Sequence, residues 1–421
     1  MKRLELGRFA AVVVAAALAA GLAACGASSG SGESSGAGGS VEAKLYTDVP
    51  SSGCGSQPAP AAIDPDGIVA TLPKAQQAAY KSFPDPNLKS AWSDFKPDHG
   101  PPYKVGLNLV PSVNDYMSRI NTQLVKSLKE YPQVGDVVSK TSTSVTDVVG
   151  QLANFDGLLR EDVDIIITVA VQPNAMTAPL ARAAKQGVPV VSFLNAIPDK
   201  NSLNVQYNIY ESAAASTATM MRLLDGKGNV IWMNGIPGDA VTDIGRQAFD
   251  ATIKRCPGIK NLGQIFGTYQ NPTAKRETLK FLATHPQAIA GVGQAGSMGS
   301  GLMQAFEQSG RDMPIVQDAG AQEGSMGYWR HHADYPGTGF GIPPTPTART
   351  AVNVALRTLQ GQGPKLNNLI NYGPPITPAN LDQWAEESWT LQSPGTSEGP
   401  ELEFMDDQYL NTLFNSGKAP K

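Results

Sequence analysis

The chain is poor in the residues that most enzyme and metal chemistry uses. Its 421 residues include three cysteines and four histidines. His99, His285, His331 and His332 have no partners at ligand spacing, so no metal site is legible. The His331-His332 pair reads as a solvated helix end. No G-x-S-x-G elbow is present, because Ala295 stands where the segment around Ser297 would need its first glycine. Nothing points to a catalytic pair of carboxylates. Charge is sparse at 17%, and the net charge of −4 removes the basic footprint that nucleic-acid binding requires. A long membrane-spanning run is also missing. The uncharged stretch from Phe9 to Ala24 is 16 residues, short of the roughly 20 that a span needs.

That stretch is informative in another way. Lys2, Arg3 and Arg8 give it a basic start, softened by Glu5, and it ends in Leu22-Ala23-Ala24-Cys25. Small residues directly before a cysteine resemble a bacterial lipoprotein signal, in which the cysteine is lipid-modified and becomes the mature N-terminus. On this resemblance, residues 1–24 are the signal and Cys25 is the lipid attachment site; an ordinary signal peptide or an uncleaved anchor helix are the alternatives. From Gly26 to Ser40, 14 of 15 residues are Gly, Ser or Ala, the exception being Glu33. Such a composition cannot bury apolar area, so residues 25–40 are expected to be a flexible tether. Cys54 and Cys256 remain; outside the cytoplasm they could form a disulfide, or stay free.

With 43 Gly and 32 Pro, the remainder must turn often. About 397 residues follow the signal, suited to two lobes rather than one core. From Tyr103 onward, strand-like and helix-like segments alternate. KVGLNL (104–109) is followed by Tyr116, Ile120, Leu124 and Leu128 at helical spacing, with Asn114 as N-cap. DIIITVA (164–170) and VPVVSFL (188–194) read as strands buried on both faces, with a helix between them that starts near Pro173 and closes at Gly187. NVIWM (229–233), GQIF (263–266), 288–292 and 314–317 continue the strand series, with helical patterns at 241–253, 273–283 and 300–308. The alternation predicts an α/β protein built from βαβ units. Residues 200–208 interrupt it and read as a crossing between lobes.

In this order, KVGLNL-VPSVNDYMSRI, DIIITVAVQPNAMTAPLARAAKQGVPVVSFLN, GNVIWMNGIPGDAVTDIGRQAFD and HPQAIAGVGQAGSMGSGLMQAFEQSG-RDMPIVQDAG resemble the ribose-type (type I) periplasmic sugar-binding proteins, the receptors of sugar ABC transporters. The resemblance covers about residues 103–390 and implies two doubly wound parallel-sheet lobes joined by a three-stranded hinge. The expected organisation is an N-terminal extension at 41–102, lobe 1 at 103–205 and 343–372, lobe 2 at 206–342 and 373–390, and a C-terminal tail at 391–421. The implied function is capture of a sugar, polyol or related metabolite between the lobes and delivery to a permease at the extracytoplasmic face of the cell membrane. The implied protein is a monomer, with no catalysis, no cofactor, no metal and no nucleic-acid partner.

The same resemblance implies ligand contacts from Asn114, Tyr116 and Met117 in the first loop. The family's Asp-Arg pair falls on Leu194 and Asn195, so its charged clamp is lost. Asp243 and Arg246 fall near the position of a ligand-binding Arg. Gln294 opens a segment where Ala295 replaces an expected Asn, and Asp318 or Ala319 holds the place of a later Asp. Asn208, Tyr269 and Gln317 are further candidates, beside Gln172, Asn174 and Asn271. Fewer charged clamps imply a ligand with fewer hydroxyls, or one reached by other residues.

Three alternatives remain open. Gly291-Val292-Gly293-Gln294-Ala295-Gly296 fits G-x-G-x-x-G, with Asp318 ending the next strand, and would suit a nicotinamide-dependent oxidoreductase. A secreted glycoside hydrolase and a receptor presenting ligand to a membrane sensor are the others.

Overall fold

A computed structural model describes residues 52–401, 403–417 and 419–420. Cys25 and the segments 1–24 and 25–40 lie outside these residues. A short helix α1 (Lys74–Ala79) precedes the alternating region, which starts at β1 (Tyr103–Leu109), α2 (Asp115–Glu130), β2 (Val134–Thr141), α3 (Val148–Leu159) and β3 (Ile165–Thr168). It continues through α4 (Thr177–Lys185), β4 (Val190–Phe193), β5 (Ser202–Tyr207), α5 (Ile209–Leu223), β6 (Lys227–Asn234), α6 (Ala240–Ile253) and β7 (Gly258–Phe266). The remainder comprises α7 (Asn271–Thr284), β8 (Gly291–Gln294), α8 (Gly299–Ser309), β9 (Ile315–Ala319), α9 (Glu323–His331), β10 (Thr338–Phe340), α10 (Pro344–Leu359), β11 (Asn368–Asn371), β12 (Pro375–Ile376) and α11 (Asp407–Leu413).

The strands form two six-stranded sheets, ordered β11-β5-β4-β3-β1-β2 and β12-β10-β9-β8-β6-β7. Every pairing is parallel except β10 with β12. In each sheet the order reverses beside its first strand, between β1 and β3 and between β6 and β8. Such reversals leave a crevice at the carboxyl ends of the strands. The central strands are apolar because helices cover both faces: Ile165, Ile166 and Ile167 of β3 are fully buried.

Local signals place the elements. The Asn114 side chain accepts from the Met117 amide at 2.9 Å, capping α2, and Tyr116, Ile120, Leu124 and Leu128 turn inward. Pro173 opens a single 3-10 turn (Pro173–Met176) that runs into α4, and Gly187, at φ +73, ends it. His331 and His332 sit exposed at the end of α9.

Residues 200–208 differ from the reading of a bare crossing. Residues 202–207 are β5, a wholly buried strand, and the crossing follows Tyr207. Ser202, Asn204 and Gln206 conceal it, since a polar residue at every second position mimics a solvent-facing face. Asn204 instead bonds inside, through Nδ2 to the Ile197 carbonyl and to Asn368 Oδ1.

Three connections between the sheets follow β5, β10 and β11. A fourth lies between Thr396 and Phe404. The segment expected as a tail is packed: Leu391 joins the second lobe's core, and Phe404, Leu410, Leu413 and Phe414 join the first. The described part of the N-terminal extension, residues 52–102, lies against both lobes. Tyr80, Phe83 and Trp92 bury in the first lobe's core, while Cys54 is disulfide-bonded to Cys256 beyond α6.

Candidate functional site

The loops after β1, β3, β4, β6, β7 and β8 face one another across the crevice and enclose a cavity of about 110 Å³. Both lobes contribute. The first supplies Val110, Asn114, Tyr116, Met117, Val171, Leu194 and Asn195; the second supplies Ile236, Asp239, Val241, Tyr269 and Ala295 to Ser297. Tyr207, Ile209 and Ile342 close the floor at the connections.

The wall is mainly aliphatic, and its polar groups are mostly bonded to one another. Asn114 bridges the lobes: while Oδ1 caps α2, Nδ2 donates to the Tyr269 carbonyl at 2.9 Å. Asn195 does the same from its own loop, where Nδ2 donates to the Ala170 carbonyl at 2.8 Å and to Asp239 Oδ1 at 3.0 Å. Those two acceptors orient the amide and leave Oδ1 buried with no partner.

Asp239 caps α6 by accepting from the Thr242 amide at 3.1 Å, and the Tyr269 hydroxyl also donates to its Oδ2. Burial pushes the Asp239 carboxyl upward against the pull of these bonds. Burial, then the neighbouring Asp239 charge, pushes the Tyr269 hydroxyl well above its ordinary value, so that it stays a neutral donor. Tyr269 and Thr268 both adopt left-handed backbone, at φ +57 and +53. This conformation is rare for bulky side chains and common at ligand clamps. Gly235 makes room for the ring, since a Cβ there would stand 2.2 Å from Tyr269.

Of the candidates read from the sequence, Asn114, Tyr116, Met117, Asn195 and Tyr269 line the cavity. Six do not. Asn208 caps α5 and donates to the Ala79 and Lys81 carbonyls, which fixes it to the N-terminal extension. Asp243 lies one turn into α6, outside the lining, and Arg246 pairs with Asp250 at 3.3 Å. Gln294 caps the start of α8 at the Met298 amide and donates to the Gln317 carbonyl. Gln317 accepts from Thr217 at 3.1 Å. Asp318 is buried against Ser325, and burial raises its carboxyl to about 6.

Asp239 was missed in the sequence reading. Pro237-Gly238-Asp239 before a helical pattern is an N-cap signal, and it stands one turn ahead of the position that was weighed. The aliphatic wall was missed as well, because Val110, Val171 and Ile236 are single apolar residues in separate loops.

The glycine fingerprint does not form a nucleotide turn. Gly291 and Gly293 lie within β8, where a Cβ would strike Met220 in one case and Phe249 and Trp232 in the other. The next helix starts at Gly299, beyond the motif. Among the described residues, no helix is long and apolar enough to cross a membrane.

Known proteins share this architecture. A xylitol-binding protein of Mycolicibacterium smegmatis is 27% identical over 212 residues, 49% of this chain and 60% of that protein. The chain thus matches less than two thirds of that relative's length. An ABC transporter solute-binding protein from Bacillus halodurans, solved with bound myo-inositol, superposes with a TM-score of 0.61 at 16% identity, covering 68% of this chain and 98% of its own. One from Thermobispora bispora gives 0.60 at 19% identity, covering 67% and 87%. A sequence model described as a periplasmic binding protein domain matches residues 105–363. With its two switch-point sheets and the cleft between them, the chain belongs to the periplasmic binding protein family and has the type I fold of its sugar-binding members.

Proposed function

We propose that this chain captures a small solute in the cleft between its lobes and hands it to the permease of an ABC importer. The observation that carries this reading is that both lobes wall one cavity and bond across it, Asn114 to Tyr269 and Asn195 to Asp239. A ligand touched by both lobes stabilises the closed arrangement over the open one, and a permease can distinguish the two. The likeness to proteins named for xylitol and solved with myo-inositol supports a solute among sugars, polyols and related metabolites. Asn114, Tyr116, Met117, Asn195 and Tyr269, joined by Asp239, are the proposed contacts.

The protein acts outside the cytoplasm as a monomer, without catalysis or cofactor, held to the membrane by lipid on Cys25. The resemblance of Leu22-Ala23-Ala24-Cys25 to a lipoprotein signal supports the anchor. The disulfide fits an oxidising compartment.

A thermal-shift screen over sugars, polyols and related small metabolites tests capture: at least one raises the melting temperature by several degrees. Failure of every solute, together with no retained ligand by native mass spectrometry, would refute it. Cys25→Ala tests the anchor: the variant leaves the membrane fraction, whereas continued retention would point to an uncleaved helix.

A further inference from the structure

We propose that the cleft selects a small, mostly apolar solute with a hydrogen-bond-donating head group, and discriminates against fully hydroxylated sugars and polyols. The inference rests on the reading of this cavity as the solute site, and it narrows that reading to the least hydroxylated end of the class.

The argument follows the polar groups. Sugar recognition needs side chains that can meet hydroxyls from both sides, and here most of those side chains are bonded to protein or lie outside the cavity lining. Gln294 and Gln317, at the strand ends of the second lobe, lie outside the lining; Gln294 bonds to the Gln317 carbonyl and the Met298 amide, and Gln317 Oε1 accepts from Thr217. Asp318 is turned onto Ser325 and the Gln322 amide. Asn114 uses both ends of its amide within the protein. What faces the cavity in their place is aliphatic and comes from both lobes.

Two unpaired polar groups remain in the lining, the Tyr116 hydroxyl and Asn195 Oδ1. Asn195 Oδ1 is buried and accepts nothing, while its Nδ2 is held by the Ala170 carbonyl and Asp239. Asp239 Oδ1 accepts that single bond and keeps capacity for another, since a carboxylate offers about four acceptor positions. Two adjacent acceptors, one from each lobe, call for a donor. A hydroxyl or an amine supplies one, and its apolar body then fills the aliphatic wall. A hydroxyl that reaches neither this pair nor the Tyr116 hydroxyl would be stripped of water against that wall and left unpaired, which weakens binding by about fivefold or more for each one.

Isothermal titration calorimetry on the whole protein, with ligands matched in skeleton, tests this. The ring series is cyclohexanol, cyclohexylamine, cyclohexane-1,2-diol and myo-inositol; the chain pair is pentan-1-ol and xylitol. The expected result is that cyclohexanol or cyclohexylamine binds at least tenfold more tightly than myo-inositol, and pentan-1-ol more tightly than xylitol. Whichever of the alcohol and the amine binds identifies the head group. The variant Asn195→Leu, verified as folded by circular dichroism, should weaken that ligand at least tenfold; unchanged affinity would overturn the head-group assignment. Tightest binding of myo-inositol or xylitol would overturn the inference and leave the solute-binding reading intact. Silence across both series, with no ligand retained through purification, would overturn the two together.

Discussion

Asp318 shows how one buried group can set a pH dependence. Burial raises its carboxyl from 3.8 to about 6, against the hydrogen bond from Ser325. Between those values the folded chain holds a proton that the unfolded chain has released, so stability falls as pH rises through this window. The loss levels off above about pH 6 and amounts to about 3 kcal/mol. Denaturant melts from pH 4 to pH 7 should show this fall, and Asp318→Asn should flatten it. A second prediction at this scale concerns Gly235. Its Cβ would collide with the Tyr269 ring, so Gly235→Ala should displace Tyr269 from Asp239 and weaken solute binding at least tenfold in calorimetry, while far-ultraviolet circular dichroism stays unchanged. At the residue scale the sequence is a partial guide. Asn114 was legible because a cap residue after an apolar strand must stand at the cleft edge. The burial of Asp318 was not, because only the folded course of the chain brings Ser325 over it.

Among elements, strands buried on both faces were the legible ones: β1, β3, β4 and β6 are short apolar runs flanked by helical patterns. β2 escaped notice because it is an edge strand, half-exposed along Val134–Thr141. β5 escaped for the opposite reason, since its polar side chains are satisfied inside. The helix α5 is built largely of Ala, Ser and Thr, which lets it pack closely between sheet and extension without a strong apolar stripe. Along it runs the segment after Cys54, held where Arg222 donates to the Gly55 carbonyl at 2.7 Å and Arg255 to Ser56 at 2.7 Å. The disulfide spans 202 residues of sequence, so its removal frees a long loop in the unfolded chain. Replacing both cysteines by serine should cost about 2–5 kcal/mol in equilibrium denaturation. Limited proteolysis should then cleave first near residues 54–60.

For the whole molecule, the order of apolar strands was enough to specify two lobes, whereas how they meet was not legible. Part of that meeting is ionic. Arg119 on α2 bonds Asp115 at 2.6 Å and lies 3.8 Å from Glu323, across the cleft, and 3.6 Å from Glu398 on the last connection. The Thr396 amide donates to Asp115 at 2.9 Å, so the last connection between the lobes also clasps their rims. These groups are partly exposed, and each pair contributes less than about 1 kcal/mol. A few such pairs can still bias an open–closed equilibrium that differs by only a few kcal/mol. Arg119→Ala should enlarge the radius of gyration of the ligand-free protein in small-angle scattering. High salt should produce part of the same enlargement in the unaltered chain.

The bond between Cys54 and Cys256 also decides where a mechanical load enters. Cys54 sits beside Gly226, at the start of β6 and the end of the second sheet remote from the cleft. Twenty-eight residues separate Cys25 from Cys54 along the chain, a leash that reaches at most ~100 Å when fully drawn out. If Cys25 carries the proposed lipid, a tug from the anchor is grounded in the second lobe at its base. The hinge connections and the mouth of the cleft lie off that line of force. Under that anchoring, thermal jostling at a bilayer would swing the molecule about without prising its jaws apart.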